Sequence, residues 1–147
     1  MANVIMPAAS RRRRAGFIPP LLIIPFILYN IMAFALFGGQ PAGWSSEVFH
    51  ITMVSGVVWQ LTWGDLMLVV GLVCLFFEVL KSTNTGRTSI VEHMLSTALF
   101  VIFIIEFILA GAAASSVFFL LMMMSLVDVV AGFTISITGA GRDVTME

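Results

Sequence analysis

Apolar residues run through this chain in four long blocks with short polar links between them. The first block is "FIPPLLIIPFILYNIMAFALF", residues 17–37, and the second is "DLMLVVGLVCLFFEVL", residues 65–80. The third runs from about residue 94 to 110, and the fourth is "SVFFLLMMMSLVDVVAGFTISI", residues 116–137. A helix needs about 20 predominantly apolar residues to cross a hydrocarbon core of about 30 Å. The blocks therefore predict four transmembrane helices, over residues 17–37, 64–81, 93–111 and 115–137, with Trp63 extending the second. In the first, Pro19 and Pro20 fall in the opening turn, where a missing N–H costs little. Pro25 lies deeper and is expected to kink the helix, with Asn30 as a nearby polar contact.

The link at residues 38–63 has a different period. In "VFHITMVSGVVWQLTW", Phe49, Ile51 and Met53 alternate with His50 and Thr52; Val57, Trp59, Leu61 and Trp63 alternate with Gln60 and Thr62. Ser55-Gly56 separates the two runs. Alternation on both sides of a turn dipeptide predicts a β-hairpin in which residues 48–53 pair with 57–62. A lone two-stranded hairpin is marginal in water, so this one needs lipid headgroups or a partner against its apolar face. All three tryptophans, Trp44, Trp59 and Trp63, lie in this link. Tryptophan favours the membrane–water boundary, which makes them expected interface anchors; a docking surface is the second reading.

Composition agrees with the pattern. Apolar residues make up 60% of the 147 and charged residues 10%, against about a quarter charged in soluble domains. Mean hydropathy is +1.08. The sequence is that of a single all-α membrane domain with a short hairpin outside. The seven Lys and Arg residues stand in three places: Arg11, Arg12, Arg13 and Arg14 before the first block, Lys81 and Arg87 at the middle link, and Arg142 after the last block. Four spans bring these places to one side, which the positive-inside rule makes cytoplasmic. Residues 1–16 and 138–147 are then cytoplasmic ends of a membrane domain spanning 17–137, and the hairpin link is external. A rival reading takes "SRRRRAGF" and the following apolar run as a cleaved signal, with Ala33-Phe34-Ala35 as the cleavage site; the length of that run and its prolines favour an uncleaved span.

Ionisable residues inside spans are costly, and they usually face protein. Glu78, Glu106 and Asp128 are the candidates, with Asp65 at the rim. Asp65 opens the second helix, where a carboxylate caps free N–H groups and meets the positive end of the dipole. Glu78 precedes Lys81 by three positions, a spacing that makes them neighbours. Gly64, Gly71 and Glu78 share a stripe that reads as a packing seam. Glu106 and Asp128 differ in depth by roughly 10 Å when counted from the tight link near Ala113, so direct contact is not expected. Asp128 shares a stripe with Leu121, Ser125 and Gly132, and Glu78, Lys81 and His93 reach a similar depth. Glu106 is expected to face the bundle or a partner and to keep its proton at neutral pH. These acids either fix helix association or form steps of a proton or cation path.

Little else points to chemistry. Cys74 sits in an apolar block and reads as a packing residue. His50 and His93 lie at opposite ends, without metal-site spacing. The methionines of "LMMMS" (residues 121–125) point in different directions on a helix, so copper(I) binding is not expected. No catalytic, cofactor or metal residues are assigned, and a four-residue basic cluster against a span argues against nucleic acid. In "VVWQLTWGDLMLVV", "LFFEVLKSTNTGR" and "FFLLMMMSLVDVVAGF", within residues 56–142, the sequence resembles small four-span inner-membrane proteins of alphaproteobacteria. That group has no established activity to carry over, and the resemblance implies only a bacterial inner-membrane location. The expected function is a non-enzymatic accessory or scaffolding subunit of a larger inner-membrane assembly, partnered by the bilayer and by other subunits or copies of itself. The alternative is a small oligomeric proton or cation channel or transporter using Glu106 and Asp128.

Overall fold

The computed structural model describes residues 19–82 and 87–144, with side-chain surroundings for 19–82, 91–135 and 137. Arg11 to Arg14 and the side chains of Arg87 and Arg142 lie outside the described residues, so the orientation drawn from them rests on sequence alone. In chain order the elements are helix α1 (Ile23–Ile31), a π-helical turn that continues it (Met32–Leu36) and a 3-10 turn (Pro41–Ser45). Strands β1 (Glu47–Thr52) and β2 (Val58–Thr62) and helices α2 (Trp63–Ser82) and α3 (Arg87–Leu109) follow. A 3-10 turn (Gly111–Ala113) and helix α4 (Ser116–Val144) complete the chain.

Three helical stretches are long and apolar enough to cross a membrane: Trp63–Ser82, Val91–Leu109 and Ser116–Ile135. The first block departs from the expected span. Its apolar helix is Ile23–Leu36, roughly 21 Å long at about 1.5 Å per residue. The prolines are the reason. Around them the chain forms turns, with the Ile23 and Ile24 amides donating to the carbonyls of Pro20 and Leu21. Regular helix begins only at Ile23, which leaves Pro25 in its first turn, where it removes no helical hydrogen bond. The irregularity expected at Pro25 appears instead as the π-helical turn, where Phe37 N–H donates to Met32 O at 3.0 Å. Gly38 and Gly39 then end the helix at φ 58° and 78°. The Gly39 amide reaches back to Ala33 O at 2.8 Å, a Schellman-type closure that favours glycine.

The bundle is built from stripes spaced three and four residues apart. On α4 the buried positions are Phe118, Leu121, Ser125, Asp128 and Gly132; on α3 they are Ser96, Leu99 and Phe103. On α2 they include Gly64, Met67, Gly71 and Glu78, while Leu22, Pro25, Tyr29 and Ala33 line the inner face of the first segment. The outward faces carry large apolar side chains, among them Leu72, Phe76, Ile105, Ile108, Phe119 and Phe133, all exposed. Small and polar residues inside with large aliphatics outside is the arrangement lipid favours. Gly71 sets the α2–α4 distance: a Cβ there would lie 2.5 Å from Leu121 Cδ2 and 2.9 Å from Met124 Sδ.

The hairpin pairs antiparallel, with Phe49 opposite Leu61, His50 opposite Gln60, Ile51 opposite Trp59 and Thr52 opposite Val58. Gly56 N–H donates to Met53 O and Met53 N–H to Val57 O, both at 2.9 Å. Gly56 takes φ 82°, the left-handed position of a three-residue hairpin loop with a one-residue bulge. A register irregularity at Val48, between Glu47 and Phe49, shifts the pairing near the base. Strand β2 passes into α2 with no linker.

Candidate functional site

The polar side chains that could carry function fall into two groups, at opposite ends of the bundle. At the end away from the hairpin stand the buried side chains of Glu78, Ser82, Ser96, Ser125 and Asp128. Glu78 is 2% exposed. Its Oε1 pairs with Lys81 Nζ at 2.7 Å, and its Oε2 accepts the Leu21 amide at 2.6 Å. Lys81 also stands 3.9 Å from Glu92 of α3. Asp128 is 4% exposed; Ser96 of α3 stands beside its carboxyl, and Glu78 and Lys81 lie within electrostatic reach. The His93 ring occupies the space above Gly132, where a Cβ would come within 2.4 Å of Nδ1, and it stacks on Phe133. Ser125, one turn from Asp128, keeps a buried hydroxyl with no hydrogen-bond partner among the described residues.

At the hairpin end, Glu106 is half-buried. Its Oε2 accepts from Asn30 Nδ2 at 3.2 Å, and the same amide donates to Phe26 O at 3.1 Å. On the residue before Asn30, the Tyr29 hydroxyl meets Ala112 O at 2.8 Å and Ser115 Oγ at 2.7 Å. Ser115 also caps α4 by accepting from Phe118 N–H at 3.1 Å, as an N-cap serine does. Between the two groups lies an apolar layer of Phe26, Leu99, Phe103, Phe118 and Leu121, with Phe26 and Phe103 edge to face at 4.8 Å.

Asp65 stands in the first turn of α2 and bonds reciprocally with Thr62. Its Oδ2 accepts from Thr62 N–H at 2.8 Å and from Thr62 Oγ1 at 2.7 Å, and its own amide donates to Thr62 Oγ1 at 3.2 Å. This capping-box arrangement joins strand to helix. The Trp63 amide adds a bond to Ser46 O at 3.2 Å.

The tryptophans divide. Trp59 is exposed on the hairpin face and Trp63 packs partly into the core. Trp44 departs from its expected role as an interface anchor. It is 3% exposed, stacked on Tyr29 at 4.4 Å and edge to face with Phe37 at 4.9 Å, which makes it a core residue. Its indole N–H comes close to Tyr29 without forming a hydrogen bond of good geometry.

Sequence reasoning missed several contributors. The Leu21 amide carries no side-chain signal at all. Ser96 is one serine among several, and its use depends on which face of α3 meets α4. Tyr29 had a signal, being the single tyrosine of the chain and set in an apolar block; Ser115, just before an apolar run, reads as an N-cap. Among the described residues, no three His, Cys, Asp or Glu side chains are grouped to hold a metal ion. Chemically, the arrangement joins helices to one another. Glu78 ties α2 to the turn before α1, Glu106 ties α3 to α1, and Asp128 ties α4 to α3.

No protein-family model, curated protein or solved structure matches the chain. What the fold supports is a small multi-span membrane protein with three long apolar helices and a shorter one.

Proposed function

We propose that the chain is a non-enzymatic accessory or scaffolding subunit of a larger inner-membrane assembly, with the Ile23–Leu36 helix as a fourth membrane segment and both termini cytoplasmic. The observation that carries this reading is the hairpin. Phe49, Ile51, Met53, Val54, Val57, Val58 and Trp59 are all exposed, and Val54 and Val57 crown the tip. An uncovered apolar surface of this kind marks an interaction site, and both edges of a two-stranded sheet have unpaired backbone groups ready to accept another strand. The Thr62–Asp65 bonds hold the hairpin on the end of α2, so it is presented in a fixed orientation.

The intramembrane acids fit the same reading, since each joins two segments of this chain. A proton or cation path through Glu106 and Asp128 has less support. The apolar layer of Leu99, Phe103, Phe118 and Leu121 fills the interval between them. Purification of the full chain from its own membrane in mild detergent, followed by subunit identification, tests the proposal. A stable complex with a second polypeptide in fixed ratio is expected. A homo-oligomer that conducts protons when reconstituted would overturn it.

A further inference from the structure

Asn30 of α1 and Glu106 of α3 form a polar pair on the outer surface of the bundle, and both are only half-buried. Each is set in a stripe of exposed apolar side chains at helical spacing, Ile27 and Phe34 on the first helix and Ile102 and Leu109 on α3. Because Asn30 bonds to Glu106, the two stripes adjoin and make one outward-facing surface. Glu106 stands three residues before Leu109, the end of a spanning stretch, and so lies roughly 4–5 Å inside it. The acids at the other end of the bundle differ: Glu78 and Asp128 are 2% and 4% exposed and face protein.

Donors and acceptors do not balance in this pair. The Asn30 amide has two N–H donors, and both are engaged, one on Phe26 O at 3.1 Å and the other on Glu106 Oε2 at 3.2 Å. Among the described residues nothing donates to Glu106 Oε1 or to the Asn30 side-chain oxygen. The surface therefore turns acceptors outward and no donors. Acyl chains bring no donor, and an acceptor left unmatched in hydrocarbon is costly. A second copy of the same surface would set acceptors against acceptors. Among residues with described surroundings the chain's one Lys or Arg, Lys81, is held by Glu78 at the opposite end of the bundle. We propose that this surface docks a spanning helix of another polypeptide that carries one arginine or lysine at the depth of Glu106. The cation pairs with Glu106 Oε1 and donates a further bond to the Asn30 oxygen, while the rest of that helix packs on Ile27, Phe34, Ile102 and Leu109. A cation inside a membrane needs such a carboxylate in turn. The inference rests on the accessory-subunit reading for the existence of a partner, and it adds a contact within the membrane to that of the hairpin.

The test uses the full chain in phosphatidylcholine vesicles, which have no net charge, with synthetic spanning peptides of leucine and alanine. One peptide has a single arginine about one turn inside its end; in the others leucine or glutamate takes that place. Association is read by energy transfer between a fluorophore on the chain and an acceptor on the peptide. The arginine peptide should bind about fivefold more tightly than the leucine peptide, and the glutamate peptide no better than leucine. Glu106→Gln removes the charge and keeps the shape, and should bring the arginine peptide to within about twofold of leucine. Asp65→Asn removes an equal charge at the same end of the bundle, away from this surface, and should leave the preference intact. Circular dichroism confirms that both variants fold. Equal binding of the arginine and leucine peptides by the unaltered chain, or a preference that survives Glu106→Gln, would overturn the proposal. A second polypeptide that co-purifies with the chain but has no Lys or Arg in a spanning helix would also overturn it, while leaving the accessory reading in place. Absence of any second polypeptide would end both.

Discussion

Glu106 shows how one charged side chain is accommodated in an apolar helix. Its carboxyl accepts from Asn30, whose amide also bonds the Phe26 carbonyl, so the acid is part of a short polar bridge between α3 and α1. Interhelical hydrogen bonds in membranes average about 0.6 kcal/mol. Glu106→Gln keeps the shape and an acceptor, and it should change stability by no more than about 0.6 kcal/mol in a denaturant titration of the detergent-solubilised chain. A loss several times larger would mean that the charge itself is needed. Tyr29 carries more. Tyr29→Phe keeps the stack on Trp44 but loses the bonds to Ala112 and Ser115, and should cost about 1–2 kcal/mol. Tyr29→Ala also opens a cavity in the aromatic cluster and should cost about 3–5 kcal/mol. Equal losses for the two variants would place the whole contribution in the hydroxyl. Glu106 stands out in the sequence as a charge in an apolar run, whereas Tyr29, a lone hydroxyl in another apolar run, goes unread there. Their partners depend on helix rotation and tertiary packing, so no local pattern revealed them. Trp44 is the counterpart: tryptophan's general preference for the interface pointed outward, whereas Tyr29 and Phe37, brought together by the fold, bury it.

Among the elements, the hairpin and the three long helices were legible because each has a strong period of its own. Period-two alternation around Ser55-Gly56 located the strands within a residue or so, and the left-handed Gly56 explains why the turn falls there. Gly56→Ala meets no neighbouring atom within 4 Å, so its cost is purely conformational, about 1 kcal/mol. Hydrogen exchange should show faster opening of the strand amides with α2 unaffected; unchanged exchange would mean that the loop tolerates a side chain at positive φ. The start of the first helix was less legible, because Pro19, Pro20 and Pro25 each suit an opening turn and only the packed structure selects Ile23. At the α2–α4 seam, Gly71→Val should force the helices apart against Leu121 and Met124. Adding Leu121→Ala should recover part of the lost stability, the non-additivity expected of residues in contact. Simple addition of the two losses would show that Gly71 does not set the spacing.

For the whole molecule, the two ends have different roles in this account. One end ties acids and serines into the bundle, and the other presents an apolar hairpin that the described residues leave exposed. The proposed orientation rests on charge placement along the sequence and is tested by labelling. In a Cys74→Ala background, Ser46→Cys should react with an impermeant thiol reagent applied outside, while Thr85→Cys should not; the reverse would invert the topology. The central claim is that the hairpin meets another polypeptide and is not merely an anchor in lipid headgroups. It is tested most directly by a photo-crosslinking residue at Val57, an exposed position at the hairpin tip, activated in intact membranes. The expected result is a covalent adduct to one discrete polypeptide, lost when Ile51→Asp disrupts the apolar face. Adducts to lipid alone, with the protein adduct absent, would contradict it.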